Sequence, residues 1–66
     1  MERIKIKAVR ANMDMTQEDM AKHLGISITA YILKEQGKRE FTWSEVYRIC
    51  KLANIENPFM LDIPLD

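Results

Sequence analysis

Few side chains in this sequence are placed for covalent chemistry, and its polar residues are arranged for contact instead. His23 is the single histidine, and no second His or Cys stands at metal-ligand spacing from it. Cys50 is the single cysteine, set on an apolar stripe where it reads as a small core residue. No nucleophile and base are spaced as a catalytic pair, and Gly25 and Gly37 alone do not make a phosphate-cradling loop. What stands out is a spacing. Nine residues run from Gln17 to Gly25, Ser27 follows, and after about nine helical residues the chain reads Glu35-Gln36-Gly37-Lys38-Arg39. A Lys-Arg pair in a turn suits phosphate contact, which gives affinity without sequence information. The expectation is non-covalent binding, with no enzyme activity, no cofactor and no metal.

These residues need two short helices to position them. Thr16 stands where it caps a helix, with Asp19 three residues on in a capping-box-like pattern. Met20, Ala21 and Leu24 form that helix's inner face, and Gly25 follows where a left-handed backbone is needed. Ile26 turns inward and Ser27 caps the next helix, which runs to about Gln36 with Gly37 as its terminator. Two helices meeting at a glycine turn, over about 17–36, make a helix-turn-helix, whose second helix commonly enters the DNA major groove.

The flanks complete an all-helical reading. Residues 2–12 are expected to form a first helix, with Ile6, Val9, Ala8 and Ile4 toward the core. The Ile4/Ile6/Ala8 alternation also fits a strand, but Ala, Lys and Arg favour helix. Asn12-Met13-Asp14 breaks the periodicity. Thr42 or Phe41 opens a fourth helix whose buried stripe is Trp43, Val46, Ile49, Cys50 and Ala53. Asn54 suits a left-handed end, and Asn57-Pro58 restarts a short helical turn. Beyond it, Leu61-Asp62-Ile63-Pro64-Leu65-Asp66 alternates apolar and acidic residues. It reads either as a tail laid over the body or as an extended arm pairing with a second copy.

At 66 residues the chain is expected to be one domain, near the lower limit for a self-sufficient core. Its 47% hydrophobic content argues against general disorder. No apolar run approaches a membrane span, the first residues lack a signal peptide's apolar stretch, and one cysteine fits a reducing compartment. A cytoplasmic location follows as an expectation. Net charge is zero, which argues mildly against nucleic acid. Residues 1–53, however, hold all ten Lys and Arg against seven acids, and residues 54–66 hold Glu56, Asp62 and Asp66 with no base. A body of +3 with a tail of −3 suits a partner of phosphate on the side away from the tail.

In combination these residues resemble the Cro/cI-type (XRE-like) helix-turn-helix family of phage and bacterial regulators. The resemblance rests on Ile6-Lys7-Ala8-Val9-Arg10, Met15-Thr16-Gln17-Glu18, Met20-Ala21, Leu24-Gly25-Ile26-Ser27, Tyr31, Glu35-x-Gly37-Lys38 and Val46 through Ile49, and covers roughly residues 4–60. It implies a compact four- to five-helix, lambda-repressor-like DNA-binding domain with a short extended C-terminal tail. It further implies a homodimer on a palindromic operator in double-stranded DNA, with helix 3 in the major groove. Gln17 would inherit a phosphate contact, with Ser27, Lys38 and Arg39 holding the DNA backbone on either side. Arg10 would pair with Glu35 and lock helix 1 to helix 3. Base reading would fall on Ile28, Thr29 and Leu33, with Ile32 alongside. Phe59, Leu61, Ile63 and Leu65, in the segment 57–66, would supply the dimer contact. The small size suggests a phage-type repressor, or a short antitoxin-like or restriction-controller regulator.

The chain departs from the family at the reading positions. Major-groove readout normally needs hydrogen-bonding side chains, and only Thr29 supplies one. Ile28, Ile32 and Leu33 are suited to thymine methyl groups instead. Lys34 stands where the family more often buries an aliphatic, so either its stem lies along the core or helix 3 is rotated to turn Leu33 inward. An exposed apolar cluster on helix 3 also fits a rival reading, a module of the same fold that binds a protein partner there.

Overall fold

The computed structural model describes residues 3–62, whose regular elements are all helical. Four α-helices follow in order: α1 (Ile6–Asn12), α2 (Gln17–Leu24), α3 (Ile28–Glu35) and α4 (Trp43–Ala53), then a 3-10 turn at Pro58–Met60. The boundaries are set by local chemistry. Thr16 accepts from the Asp19 N–H while Asp19 accepts from the Thr16 N–H, both at 3.0 Å, and Thr42 and Glu45 repeat the arrangement at the start of α4. Each box satisfies donors that a helix N-terminus leaves unpaired. Gly25 ends α2 at φ 73°, where an L side chain costs about 1–2 kcal/mol. Asn54 ends α4 at φ 58°, the left-handed conformation Asn adopts more readily than most residues.

The core forms where the inner faces of these helices meet. Ile6 and Val9 of α1, Met20, Ala21 and Leu24 of α2, Tyr31 of α3, and Val46, Ile49 and Cys50 of α4 are buried, together with Phe41 and Leu61. Tyr31 meets Phe41 edge-to-face, with ring centroids 6.2 Å apart. Each fully buried large side chain contributes about 1.5–3 kcal/mol, so a chain this short depends on every one of them. Among the described residues no helix is long and apolar enough to cross a membrane.

Four expectations from the sequence need correction, one a helix boundary and three the covering of apolar residues. Helix 1 begins at Ile6, not near residue 2. The Ile4 N–H donates to the Met60 carbonyl and the Asp62 N–H donates to the Ile4 carbonyl, both at 2.8 Å. Ile4 and Leu61 thus form a one-residue parallel bridge that holds residue 4 extended. Ala8 and Ile4 are exposed rather than inward. Trp43, placed by spacing on the buried stripe of α4, is 52% exposed. Leu61, expected at a dimer contact, is 0% exposed within its own chain and has no surface left for a second copy. Ile63 and Leu65 lie outside the described residues.

The burial of Leu61 has a measurable consequence. Leu61→Ala should destabilise the domain by about 3 kcal/mol, within the range for a deleted core leucine. Because the contact is internal, the loss in urea midpoint should be the same at low and high protein concentration. A loss that grows on dilution would return Leu61 to an interface between copies.

Candidate nucleic-acid interface

Helix α3 is the element on which the candidate site is built, and it is held from both sides. Toward α1, Arg10 Nε donates to Glu35 Oε2 at 2.9 Å and Nη2 donates to Oε1 at 3.3 Å. The remaining Arg10 nitrogen, Nη1, donates to the Met15 carbonyl at 2.8 Å. Toward α2, Gln17 Nε2 donates to Glu35 Oε1 at 3.1 Å. One carboxylate at the end of α3 therefore gathers α1, the α1–α2 turn and the first residue of α2. The Glu35 side chain is 5% exposed. Burial works to raise its pKa, but the hydrogen bonds led by Arg10, and the Arg10 charge, outweigh that and hold the carboxyl below its ordinary value. Arg10 is shifted up by the same hydrogen bond. The buried Tyr31 phenol sits beside this pair; burial, and then the Glu35 carboxylate, push its pKa up, so it stays protonated.

A second clamp, absent from the sequence reading, joins α3 to α4. Lys34 Nζ donates to both oxygens of Glu45, at 2.7 and 2.6 Å, with side chains 12% and 9% exposed. This decides between the two alternatives for Lys34: its stem lies along the core and its ammonium is neutralised by Glu45. The same Glu45 closes the capping box with Thr42. Burial favours its neutral form, but Lys34 and the Thr42 N–H together hold its pKa below the ordinary value. A signal existed in the sequence, since Glu45 follows Thr42 by three residues. The cap alone, however, gave no sign that this carboxylate also pairs across helices.

The turn between α2 and α3 sets the start of the candidate reading helix. Ser27 Oγ accepts from the Ala30 N–H at 3.1 Å, so the hydroxyl expected to face phosphate also serves as the N-cap. Its proton remains available to donate. Arg48 of α4 reaches across to the Leu24 carbonyl at 3.5 Å, another tie to this turn that spacing did not reveal. Ile28 and Thr29 are exposed on the first turn of α3, whereas Ile32 and Leu33 are half-buried. Lys38 and Arg39 are exposed beyond the far end, in a turn closed by Gly37 at φ 81° and by Lys38 N–H donating to the Leu33 carbonyl at 2.9 Å.

The structure thus brings Gln17, Arg10 and Glu35 together. It keeps Ser27, Ile28 and Thr29 about one helix length from Lys38 and Arg39, roughly 12 Å for eight residues. Gln17 also borders a mixed polar and apolar cleft with Lys5, Lys7, Gln36, Phe41 and Asp62. Sequence pattern alone gives Lys5 and Lys7 no partner. In the fold these two cations lie on the Gln17 side with Asp62 set against them in the same cleft, so this part of the acidic tail does not lie on the opposite side as its charge suggested. Among the described residues no group of three or more ligating side chains could hold a metal ion.

Two expectations follow from the clamps. Removing one partner of the Arg10–Glu35 pair strands a mostly buried charge, so Arg10→Met or Glu35→Leu alone should cost about 3–5 kcal/mol. The combined Arg10→Met/Glu35→Leu variant should recover most of that loss in a urea titration. If the two single losses simply add, the pair is not the unit described here. Glu35 and Glu45 also predict the acid limb of stability. Both are depressed from an ordinary value of 4.5, so the folded state holds their protons less tightly than the unfolded chain. Their contribution is complete above that value and is lost as pH falls through the folded-state pKa. The urea midpoint should drop on acidification below about pH 4.5, with a shallower drop in Glu45→Gln.

Comparison with known proteins agrees with this geometry. The helix-turn-helix family model matches residues 6–56. An uncharacterized HTH-type transcriptional regulator of Archaeoglobus fulgidus is 36% identical over 62 residues, covering 91% of this chain and 87% of the relative. A second regulator so named from the same organism is 34% identical over 62 residues, covering 91% and 89%. One from Methanocaldococcus jannaschii is 36% identical over 52 residues, covering 79% of each. These relatives are archaeal and lend no support to a phage origin. No solved structure matches the chain significantly. With the matched span covering most of the sequence and the turn, caps and Arg10–Glu35 pair in place, this chain belongs to the XRE-like helix-turn-helix family.

Proposed function

We propose that this protein is a DNA-binding transcriptional regulator that recognises operator DNA as a homodimer, with α3 in the major groove. The observation that carries the reading is the presentation of α3. Its first turn exposes Ile28 and Thr29, while Glu35, held by Arg10 and Gln17, fixes its other end. Three relatives bear the name HTH-type transcriptional regulator, which supports the same reading.

In this reading Thr29 hydrogen-bonds a base edge and Ile28 packs on a thymine methyl group. Ile32 and Leu33, half-buried, contribute little direct readout. Lys38 and Arg39 hold phosphate at one end of α3, and the Ser27 hydroxyl and the second Gln17 amide N–H do so near the helix starts. With so few polar groups at the bases, affinity leans on phosphate contact and on two half-sites about one DNA turn apart. The rival reading, a protein-binding module on the apolar face of α3, has less to work with than the sequence suggested. Of its three aliphatic residues only Ile28 is exposed.

Selection from a pool of random duplexes should enrich a palindrome. Titration of the enriched site across salt concentrations should give a steep negative slope. Lys38→Ala/Arg39→Ala should weaken binding to all sequences alike and flatten that slope by about 2 per half-site. Thr29→Val should instead change which sequences are enriched. Absence of any enriched site, with only weak salt-sensitive adhesion, would overturn the regulator reading.

A further inference from the structure

The cleft beside Gln17 holds the charge that the two clamps leave over. Of the ionised side chains lining it, Glu35 is matched by Arg10 and Lys34 by Glu45. That leaves Lys5, Lys7 and Asp62, all exposed. Among the described residues none of these three is in an ion pair. Gln36 and Gly37 also line the cleft and run directly into Lys38 and Arg39, so it borders the turn proposed above to hold phosphate.

The backbone fixes Asp62 in this place. Its N–H donates to the Ile4 carbonyl at 2.8 Å, one residue past the Ile4–Leu61 bridge, and Leu61 beside it is wholly buried. The bridge sets Asp62 next to the start of α1, where Lys5 is the cap residue and Lys7 lies in the first turn. The acid is therefore held near the two lysines by backbone hydrogen bonds and a core side chain. Its carboxylate is left free to act on charge.

We propose that Lys5 and Lys7 bind a phosphate of the duplex beside Gln17, and that Asp62 competes with this phosphate for them, as a built-in brake on DNA affinity. The inference rests on the DNA-binding reading above and adds to it three residues with opposed effects. Two ammonium groups and the second Gln17 amide N–H meet at one cleft, and a phosphate accepts from all of them. A peptide carboxylate would suit the lysines equally. A duplex, however, presents a row of phosphates, which cations at Lys5 and Lys7 and again at Lys38 and Arg39 can follow. Phosphates carry no sequence information, so the brake acts on every sequence alike. With Thr29 the one polar side chain at the bases, a chain lacking the brake would hold any duplex more tightly.

The test uses the intact chain and a labelled duplex of arbitrary sequence, titrated from about 50 mM to about 300 mM salt. Asp62→Asn should tighten binding about threefold at low salt, the scale of an exposed charge pair. The gain should fade at high salt as screening sets in, and the urea midpoint should not move. Lys5→Ala/Lys7→Ala should weaken binding and flatten the salt slope by about 2 per protomer. Both lysines are exposed and α1 uses no side-chain cap at Lys5, so the fold should be retained. In that background Asp62→Asn should bring no further gain. An Asp62→Asn chain with unchanged or lower affinity overturns the inference, as does a gain that persists undiminished without the two lysines. Preference of the parent chain for poly-glutamate over duplex also overturns it, and would give the cleft to an acidic protein segment. Lys38→Ala/Arg39→Ala is the reference. Weakening by that variant alone sinks this inference and keeps the regulator reading, whereas a parent chain that binds no duplex sinks both.

Discussion

Glu35 is the point on which the arrangement of this domain depends. A carboxylate almost wholly withdrawn from water is costly unless its lone pairs are filled. Here they are filled by a guanidinium from α1 and an amide from α2. The cost of leaving any one of these groups unpaired gives the three helices a single relative placement. Apolar contacts alone would tolerate small slides and rotations, because burial is nearly non-directional. Bidentate hydrogen bonding does not. The contribution of the pair is to orientation more than to net stability, and orientation is what the proposed role of α3 requires.

The Lys34–Glu45 pair extends the same logic to the fourth helix. Lys34 and Glu35 are adjacent on α3 and point to different neighbours, one to α4 and one to α1 and α2. The last turn of α3 is therefore tied to all the other helices, while its first turn, with Ile28 and Thr29, is left at the surface. Glu45 does this while also capping its own helix, so one side chain couples a local folding signal to tertiary placement. In a chain of 66 residues with a small core, such double use offsets part of what limited burial withholds.

Much of the candidate site is legible in the sequence. The Gln17-to-Gly25 spacing, the Ser27 cap and the Gly37 stop follow from residue types at set distances, whereas the Arg10–Glu35 partnership follows only from the family resemblance those residues carry. Gln17 was legible as important, but its hydrogen bond to Glu35 was not, because a glutamine serves a phosphate and a carboxylate equally well. The Lys34 alternatives could be named but not resolved, since either a buried stem or a rotated helix satisfies the same spacing. Lys5 and Lys7 were invisible as neighbours of Gln17, because residues far apart in sequence meet only through the packing of α1 on α2.

Neighbouring residues specify the local features of this chain: the two capping boxes, the left-handed ends at Gly25 and Asn54, and the turn at Pro58. These depend on hydrogen bonds and backbone sterics within four residues of one another, so residue type and spacing suffice to specify them. The side on which an apolar residue ends, by contrast, is settled by the packing of distant segments. Leu61 is taken into the core because Ile4 supplies a backbone partner for its segment, and that pairing draws residue 4 out of the helix its composition favours. Trp43 sits in register with a buried stripe yet stays at the surface, because among the described residues the start of α4 is met on that side by Phe59 alone at its edge. Periodicity reports which residues share a face of a helix; whether that face is covered depends on segments elsewhere in the chain.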